Sequence, residues 1–372
     1  MEARTKDEVA RAITDELVAR LGDDVELVFR YGSLVRGDGH RWSDLDMSYV
    51  PRDPSRWDSI TVLVDDILFD LYPLHWETLE RMSEWDDWRA TIFNDFEVVY
   101  EGGAGAAGRF RRLAERHDEL ERPEAKPAMV EKALAAFERA GYDVYLLGRS
   151  AKREEIDVAH RHANQIVQTV LHALVLLNQS RADTRRLEEM AELEEVPAGL
   201  AGLVERIGGA RTCGELEAAT HVLLERTREL LLAAQAEHLR VPRSYPDRLY
   251  AAYPELRADL QRVLLACERG DAYGAHTKLH SFLHELHIHL AQAERGVAYG
   301  SFNSLSEYRR PLDGRGFPDP IPALVAGRLD DVAGLCVAFD QRLRDYLREL
   351  GVELNSFATL EELREAMRSG RV

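Results

Sequence analysis

Cysteines are few in this 372-residue chain, long apolar runs are missing, and acidic residues outnumber basic ones. The three cysteines, Cys213, Cys267 and Cys336, lie far apart and show no CxxC spacing, which argues against a disulfide framework and a zinc site. No apolar stretch approaches the roughly 20 residues that a membrane-spanning helix needs. Residues 1–17 form an acidic amphipathic pattern without the apolar segment of a secretion signal. We therefore expect a cytoplasmic protein with reduced thiols.

The chain as a whole carries a net negative charge. Lys and Arg number 48 against 66 Asp and Glu residues, which gives a formal net charge of −18. Binding to a nucleic-acid backbone depends on clustered basic side chains, so this surface is poorly suited to nucleic acid. A cationic small molecule or a basic protein would be attracted instead, unless the acidity serves solubility alone.

The hydrophobic pattern divides the chain into three parts. Residues 1–105 alternate helix and strand signals in the order α-β-β-α-β-α-β, which predicts an α+β domain with a small mixed sheet and flanking helices. Within it, residues 54–66 (PSRWDSITVLVDD) predict a helix that opens with proline. Residues 106–243 predict an all-α helical bundle, and residues 244–372 a second helical module. One long bundle would give the same signals around the proline-containing break at 240–248.

A Gly-Ser turn stands shortly before a pair of aspartates. Gly32 and Ser33 end a β-rich run, and ten residues separate Ser33 from the strand pattern that contains Asp44 and Asp46. Such a turn lets the backbone approach a ligand closely and can cradle phosphate oxygens. Two carboxylates two residues apart on a strand point to the same face and repel each other unless a cation lies between them. Mg²⁺ is the expected ion, because it prefers oxygen ligands and bridges carboxylates to phosphates.

This arrangement resembles the nucleotidyltransferase superfamily, the polymerase-beta-like enzymes. Their signature is an apolar residue, Gly-[Gly/Ser], about ten residues, and Asp-apolar-[Asp/Glu]-apolar. The chain has Tyr31-Gly32-Ser33 and then Asp44-Leu45-Asp46-Met47. Arg36-Gly37 and Ser43 also stand where antibiotic-modifying members often have them. The resemblance implies Mg²⁺ as cofactor and an NTP, with ATP as the expected one, as co-substrate. The residues that it assigns to the nucleotide are Gly32, Ser33, Arg36 and Ser43.

The same resemblance implies a third metal-binding carboxylate on a later strand of the sheet. Asp70 is the best match, because it is the single acid in the apolar strand pattern ILFDLYPL and would otherwise have little reason to be buried. Asp65 and Asp66 compete with it, although they look like the solvated end of the preceding helix pattern. The predicted catalytic and metal-binding acids are therefore Asp44, Asp46 and Asp70.

The strand FEVVYEGG followed by a helical bundle looks like the kanamycin-type aminoglycoside nucleotidyltransferases. In that group a glutamate of the second domain acts as general base, and the run 136–141 (AFERAG) points to Glu138. Glu131, Glu155 and Asp157 are alternatives. The group also has a lysine just beyond that glutamate; this chain has Tyr142 there, and Lys152 is the nearest candidate.

The resemblance implies transfer of a nucleoside monophosphate from the NTP to a hydroxyl of a small cationic acceptor, such as an aminoglycoside antibiotic, with release of pyrophosphate. It also implies a homodimer. The alternative is a nucleotidyltransferase of the toxin–antitoxin or regulatory kind that acts on a protein or tRNA, which the additional C-terminal helices favour. A third interpretation keeps the fold as a binding module without activity.

Histidines at helical spacing form the last notable pattern. His276, His280, His284 and His287 fall on nearly one helical stripe, with His289 two residues further on. Imidazoles at such spacing can share a transition metal. No acidic or cysteine partner stands at ligand spacing, so packing or a role in a substrate pocket is the preferred interpretation. His160 and His162 are interpreted in the same way.

Overall fold

A computed structural model describes residues 3–37, 43–55, 59–65, 67–241, 244–296, 312 and 314–370. The chain divides into two compact units, Met1–Leu232 and Ala233–Val372. The first contains a mixed five-stranded sheet with flanking helices and then further helices, and the described part of the second is helical. The predicted fold class, an α+β domain followed by a helical region, is confirmed. The predicted boundaries after residues 105 and 243 stay predictions.

The sheet has the strand order β3-β4-β2-β1-β5. Only the pairing of β2 with β4 is parallel, and the other three pairings are antiparallel. The strands are β1 Val25–Tyr31, β2 Leu45–Pro51, β3 Ile60–Val64, β4 Ile67–Pro73 and β5 Phe96–Glu101. The helices that accompany them are α1 Ala3–Leu21, α2 Ser33–Arg36, α3 Trp76–Ser83 and α4 Ala106–Glu119. Short 3₁₀ helices lie at Gly22–Asp24, Trp88–Phe93 and Pro123–Ala125.

Both faces of the sheet are covered, because alternate residues of each strand point to opposite sides. On one face Val28 and Met47 belong to a core that includes residues of α1. On the other face Phe29 packs with Phe110 of α4, their ring centroids 4.4 Å apart. Helices on both sides fix the strands in place. The sheet can therefore hold polar side chains rigidly at the end of the core that contains Phe29 and Phe110.

The predicted helix over residues 54–66 is wrong for residues 60–64, which form the edge strand β3. These five residues pair antiparallel with β4, and Asp65 lies in the connecting turn with φ +52°. Ile60, Thr61, Val62 and Val64 are β-branched and favour a pleated strand over a helix. A short apolar run cannot be assigned by periodicity alone, and the preceding proline favoured the wrong alternative. Asp66 lies outside the described residues.

Five further helices follow among the described residues of the first unit, and a sixth, Cys213–His238, begins in it and ends in the second. The long helix Ile156–Leu177 is the centre of the first unit: it packs against three of its neighbours and buries an almost continuous apolar face. The helices are α5 Lys126–Glu138, α6 Gly141–Ala151, α7 Ile156–Leu177, α8 Leu187–Ala191, α9 Leu200–Gly209 and α10 Cys213–His238.

The second unit has its own hydrophobic core, formed mainly by the helices Ala252–Glu268, Ala272–Arg295 and Leu329–Glu349. Phe282 and Phe339 meet edge to face in it, with ring centroids 5.2 Å apart. The buried carboxylate of Asp340 accepts hydrogen bonds from the Tyr253 hydroxyl at 3.0 Å and from Arg344 Nε at 3.1 Å. The helices are α11 Tyr245–Leu249, α12 Ala252–Glu268, α13 Ala272–Arg295, α14 Ile321–Val325, α15 Leu329–Glu349 and α16 Leu360–Arg368. No helix among the described residues combines the length and apolarity needed to cross a membrane.

Candidate active site

One row of residues crosses the whole sheet. Asp46 of β2 lies opposite Asp70 of β4 on one side and opposite Tyr31 of β1 on the other, while Thr61 and Phe96 complete the row at the two edges. Residues paired across a sheet share a face, so the two carboxylates point in the same direction from neighbouring strands. Thr61 Oγ1 donates a hydrogen bond to Asp70 Oδ1 at 2.7 Å. The sheet therefore brings together two of the three predicted acids.

The environment of Asp46 is unfavourable for its negative charge. Burial raises the pKa of Asp46 to about 6, and the neighbouring carboxylates of Asp44 and Asp70 act in the same direction. The positive charges of Arg185 and Arg36 oppose this shift in the pKa. Asp46 therefore ionises close to neutral pH, and a cation placed beside it would favour the ionised form.

The Gly-Ser turn leaves no room for a side chain next to this carboxylate. Gly32 has φ +84°, and a Cβ atom built on it would lie 2.6 Å from Asp46 Oδ2. Glycine is required for both reasons, the left-handed backbone and the close approach. Ser33 begins α2, and the N–H groups of Ser33 and Leu34 are not used inside the helix. The turn thus presents backbone donors beside the acids.

Asp44 stands just before β2 and is exposed. The residue before it, Ser43, is buried, and its carbonyl oxygen accepts a hydrogen bond from the Lys6 ammonium at 2.6 Å. Lys6 is itself buried, with 3% of its surface exposed, which is unusual for a lysine. This contact fixes the backbone that leads into Asp44. The predicted nucleotide contact of Ser43 stays a prediction.

Two tyrosines lie between the acids and the aromatic core. The hydroxyl oxygens of Tyr31 and Tyr72 are 2.6 Å apart, so one donates a hydrogen bond to the other. Burial is the largest reason why the pKa of the Tyr31 hydroxyl is raised. The Tyr31 phenol is therefore neutral at physiological pH, and the two tyrosines separate the charged end of the sheet from the packed rings of Phe29 and Phe110.

The donor set fits a hard divalent cation such as Mg²⁺. Asp44, Asp46 and Asp70 offer only carboxylate oxygens, which are ligands that Mg²⁺ prefers. Their ligand atoms are not all within 4.8 Å of one another, in contrast to the single such group found among the described residues. Asp44 is exposed, so its carboxylate is accessible to an ion.

The more compact group of ligand atoms consists of His117, Asp118 and Glu121 at the C-terminal end of α4. Arg181 already forms ion pairs with both carboxylates. The His117 ring stacks on Trp85 with centroids 4.8 Å apart, and burial lowers the pKa of this histidine to about 4. The Arg181 guanidinium supplies the positive charge that a metal ion would supply here. We therefore interpret this group as a structural contact between the end of α4 and the segment that contains Arg181.

The predicted general base lies elsewhere in the first unit. Glu138 is the last residue of α5 and is exposed. The alternatives Glu131, Glu155 and Asp157 are exposed as well, as is Lys152 just after α6. The role of each stays a prediction.

His160 and His162 of α7 have structural partners. His162 Nδ1 lies 2.9 Å from Asp143 Oδ1, and His160 Nε2 lies 2.9 Å from the carbonyl oxygen of Ala210. These contacts connect α7 to α6 and to the end of α9.

The histidine stripe of α13 is mostly at the surface. His276, His280 and His284 are exposed, His287 is buried and His289 is partly buried. The rings of His276 and His280 lie 4.5 Å apart. Among the described residues, no three of these histidines have nitrogens within 4.8 Å of one another. A metal role for the stripe therefore has no support from its geometry.

Comparison with known proteins gives little further information. No protein-family model and no curated protein matches the sequence. A solved structure described as a nucleotidyltransferase-like protein from Exiguobacterium sibiricum overlaps with 62% of this chain and 76% of its own, at 16% identity and a TM-score of 0.36. A similarity of this size decides neither the family nor the reaction, so the function is argued from the site.

Proposed function

We propose that the chain transfers a nucleoside monophosphate from an NTP to a hydroxyl group of an acceptor. One observation carries this proposal: Asp46 and Asp70 lie side by side on one face of the sheet, directly beside the Gly32 turn. A metal–triphosphate complex needs carboxylates for the ion and backbone donors for the phosphates, and this end of the sheet offers both.

In this proposal Asp44, Asp46 and Asp70 would hold Mg²⁺, which would neutralise charge on the triphosphate and on the transition state. The backbone of Gly32 and Ser33 would contact phosphate oxygens. Arg36 would add positive charge, since its charge already influences Asp46. Catalysis would then consist mainly of positioning and charge neutralisation.

The proposed chemistry is an in-line displacement at the α-phosphorus. The acceptor hydroxyl oxygen forms a bond to the α-phosphorus while the bond from this phosphorus to the bridging oxygen breaks, and pyrophosphate leaves. The hydroxyl proton passes to a general base, for which we propose Glu138. A base must come within hydrogen-bond reach of the hydroxyl in the complex with both substrates.

For the acceptor we propose a small cationic molecule of the aminoglycoside type, with ATP as donor. The net charge of −18 supports a cationic acceptor. A protein or tRNA acceptor is the second candidate, and the second unit, with a hydrophobic core of its own, favours it because a small acceptor does not require such an addition.

The test is transfer of label from each α-labelled NTP in the presence of Mg²⁺ and an aminoglycoside panel, with tRNA and total protein as further acceptors. Label on the aminoglycoside supports the first acceptor, and label on tRNA or protein the second. Asp70→Asn should abolish transfer. Asp65→Asn is the matched control, because Asn tolerates the left-handed backbone of this turn residue. Absence of transfer to every acceptor, or full activity of Asp70→Asn, would contradict the proposal.

A further inference from the structure

Arg185, which belongs to no motif of the sequence, is held in a fixed orientation by Asp183. Its backbone N–H donates to Asp183 Oδ1 at 2.9 Å, and its guanidinium donates through Nε to Oδ1 at 3.0 Å and through Nη2 to Oδ2 at 2.8 Å. The same Asp-x-Arg arrangement occurs at Asp87 and Arg89. The contact uses two of the five N–H donors of the guanidinium, so the others remain available to a ligand.

The loop that carries Arg185 is attached to the N-terminal α+β part of the same unit. Arg181 pairs with Asp118 at 2.6 Å, and Gln179 Nε2 donates to the carbonyl oxygen of Leu120 at 2.7 Å. Asn94 Nδ2, just after the 3₁₀ helix Trp88–Phe93, donates to the carbonyl oxygen of Arg181 at 3.4 Å. These contacts fix the loop between α7 and α8 relative to the sheet.

The charges of Arg185 and of two predicted metal-binding acids interact. The Arg185 charge opposes the rise in the pKa of Asp46, of which burial is the largest cause. Asp46 and Asp44 contribute to the raised pKa of Arg185, of which the hydrogen bond to Asp183 is the largest cause. At the same time 82% of the Arg185 side chain is exposed. The guanidinium is therefore oriented by Asp183, interacts electrostatically with the acids and is accessible to a ligand.

An oriented guanidinium beside a magnesium site matches the charge of a nucleotide tail. A triphosphate with one bound Mg²⁺ still carries excess negative charge, and planar N–H pairs recognise phosphate oxygens in a bidentate manner. The resemblance to kanamycin-type enzymes would place a lysine at the position of Tyr142.

We propose that Arg185 binds the triphosphate of the NTP and that Asp183 is the positioning residue that aims it. This inference rests on the proposed function, because it assumes that the acids bind a metal–nucleotide complex. Lys152 is the nearest candidate in this sequence for the lysine of the kanamycin-type enzymes. The inference assigns a phosphate-binding positive charge to Arg185, on the loop between α7 and α8, instead.

The test is isothermal titration of the full-length protein, in Mg²⁺, with ATP, GTP, CTP and UTP, and then with the monophosphate of the NTP that binds best. Arg185→Ala should weaken NTP binding about 10- to 100-fold, as expected for charge-assisted hydrogen bonds, and monophosphate binding less than about twofold. Arg185→Lys should recover part of the loss, because an ammonium lacks the bidentate geometry. Asp183→Asn should give an intermediate loss.

Arg186→Ala is the matched control, since Arg186 is the next residue and pairs with Glu189 at 2.8 Å. It should bind NTP as the wild type does. Unchanged NTP binding by Arg185→Ala, or an equal loss for NTP and monophosphate, would overturn the inference but leave the proposed function intact. If the wild-type protein binds no nucleotide, both are wrong. A lower melting temperature of Arg185→Ala with unchanged NTP affinity would show a purely structural role and also overturn the inference.

Discussion

The carboxylate of Asp46 lies against the backbone of Gly32, and a Cβ atom at residue 32 would come within 2.6 Å of Asp46 Oδ2. This relationship connects the two parts of the sequence motif physically. Because the turn and the acid touch, a change in one must displace the other. The contact therefore explains why residue 32, before the strand that contains Asp46, is a glycine with positive φ.

Substitution of Gly32 by alanine should disturb both stability and nucleotide binding. We expect the free energy of unfolding to fall by about 1–3 kcal/mol, from backbone strain and the displaced carboxylate. Binding of the Mg²⁺–NTP complex should weaken at least about tenfold, because Asp46 moves. Urea denaturation and calorimetric titration measure the two effects.

Gly37→Ala is the control for that substitution. Gly37 has φ +82° as well, but a Cβ atom there would meet nothing within 4 Å. It should lose about 1 kcal/mol from the strained backbone alone, with nucleotide binding unchanged. Equal losses of nucleotide binding in the two variants would contradict the importance of the contact with Asp46.

Replacement of Asp46 by asparagine should stabilise the protein without ligand near neutral pH. The pKa of Asp46 is about 6 in the folded state against an ordinary value of 3.8, so the folded state holds the proton more tightly than the unfolded state does. Ionised Asp46 therefore destabilises the fold above about pH 6, and the cost disappears as the pH falls toward 4. We expect Asp46→Asn to gain about 1–3 kcal/mol at pH 7.5.

The pH dependence distinguishes this effect from ordinary packing changes. Urea denaturation of wild type and Asp46→Asn should show a difference in the free energy of unfolding that is nearly constant above about pH 6 and shrinks as the pH falls from about 6 toward 4. A loss of stability at pH 7.5, or a difference that does not change with pH, would show that the environment of Asp46 has been misjudged.

The hydrogen bond between Tyr31 and Tyr72 should be measurable by a double-mutant cycle. Each single change to phenylalanine leaves the partner hydroxyl without this bond, whereas the double change removes both groups. We expect a coupling energy of about 1 kcal/mol between the two positions in urea denaturation. Additive effects of Tyr31→Phe and Tyr72→Phe would mean that the hydroxyls, 2.6 Å apart in the structure, do not interact in solution.

The α+β region and the helical region could be predicted from local sequence patterns, because both patterns depend on residues close together in the chain. Asp70 could be proposed as a partner of Asp46 only through the family resemblance, since strand pairing is a long-range property. The helix predicted for Ile60–Val64 is wrong, because this run is too short for its hydrophobic periodicity to distinguish a strand from a helix.

The contributions of Lys6 and Arg185 could not be predicted from local patterns. Lys6 looks like any other polar residue of the amphipathic α1, yet its ammonium is buried against Ser43. Arg185 lies in a loop that tertiary contacts of Arg181, with Asn94 and Asp118, attach to the N-terminal part of the unit. In both cases the information lies in contacts between residues distant in sequence.

The most direct test of the magnesium site is a crystal grown with Mn²⁺ and a non-hydrolysable NTP analogue, measured at the manganese absorption edge. The account predicts an anomalous peak about 2–2.5 Å from carboxylate oxygens of Asp46 and Asp70, with the analogue's phosphates beside Gly32. A peak bound by His117, Asp118 and Glu121, with none at Asp46, would contradict it.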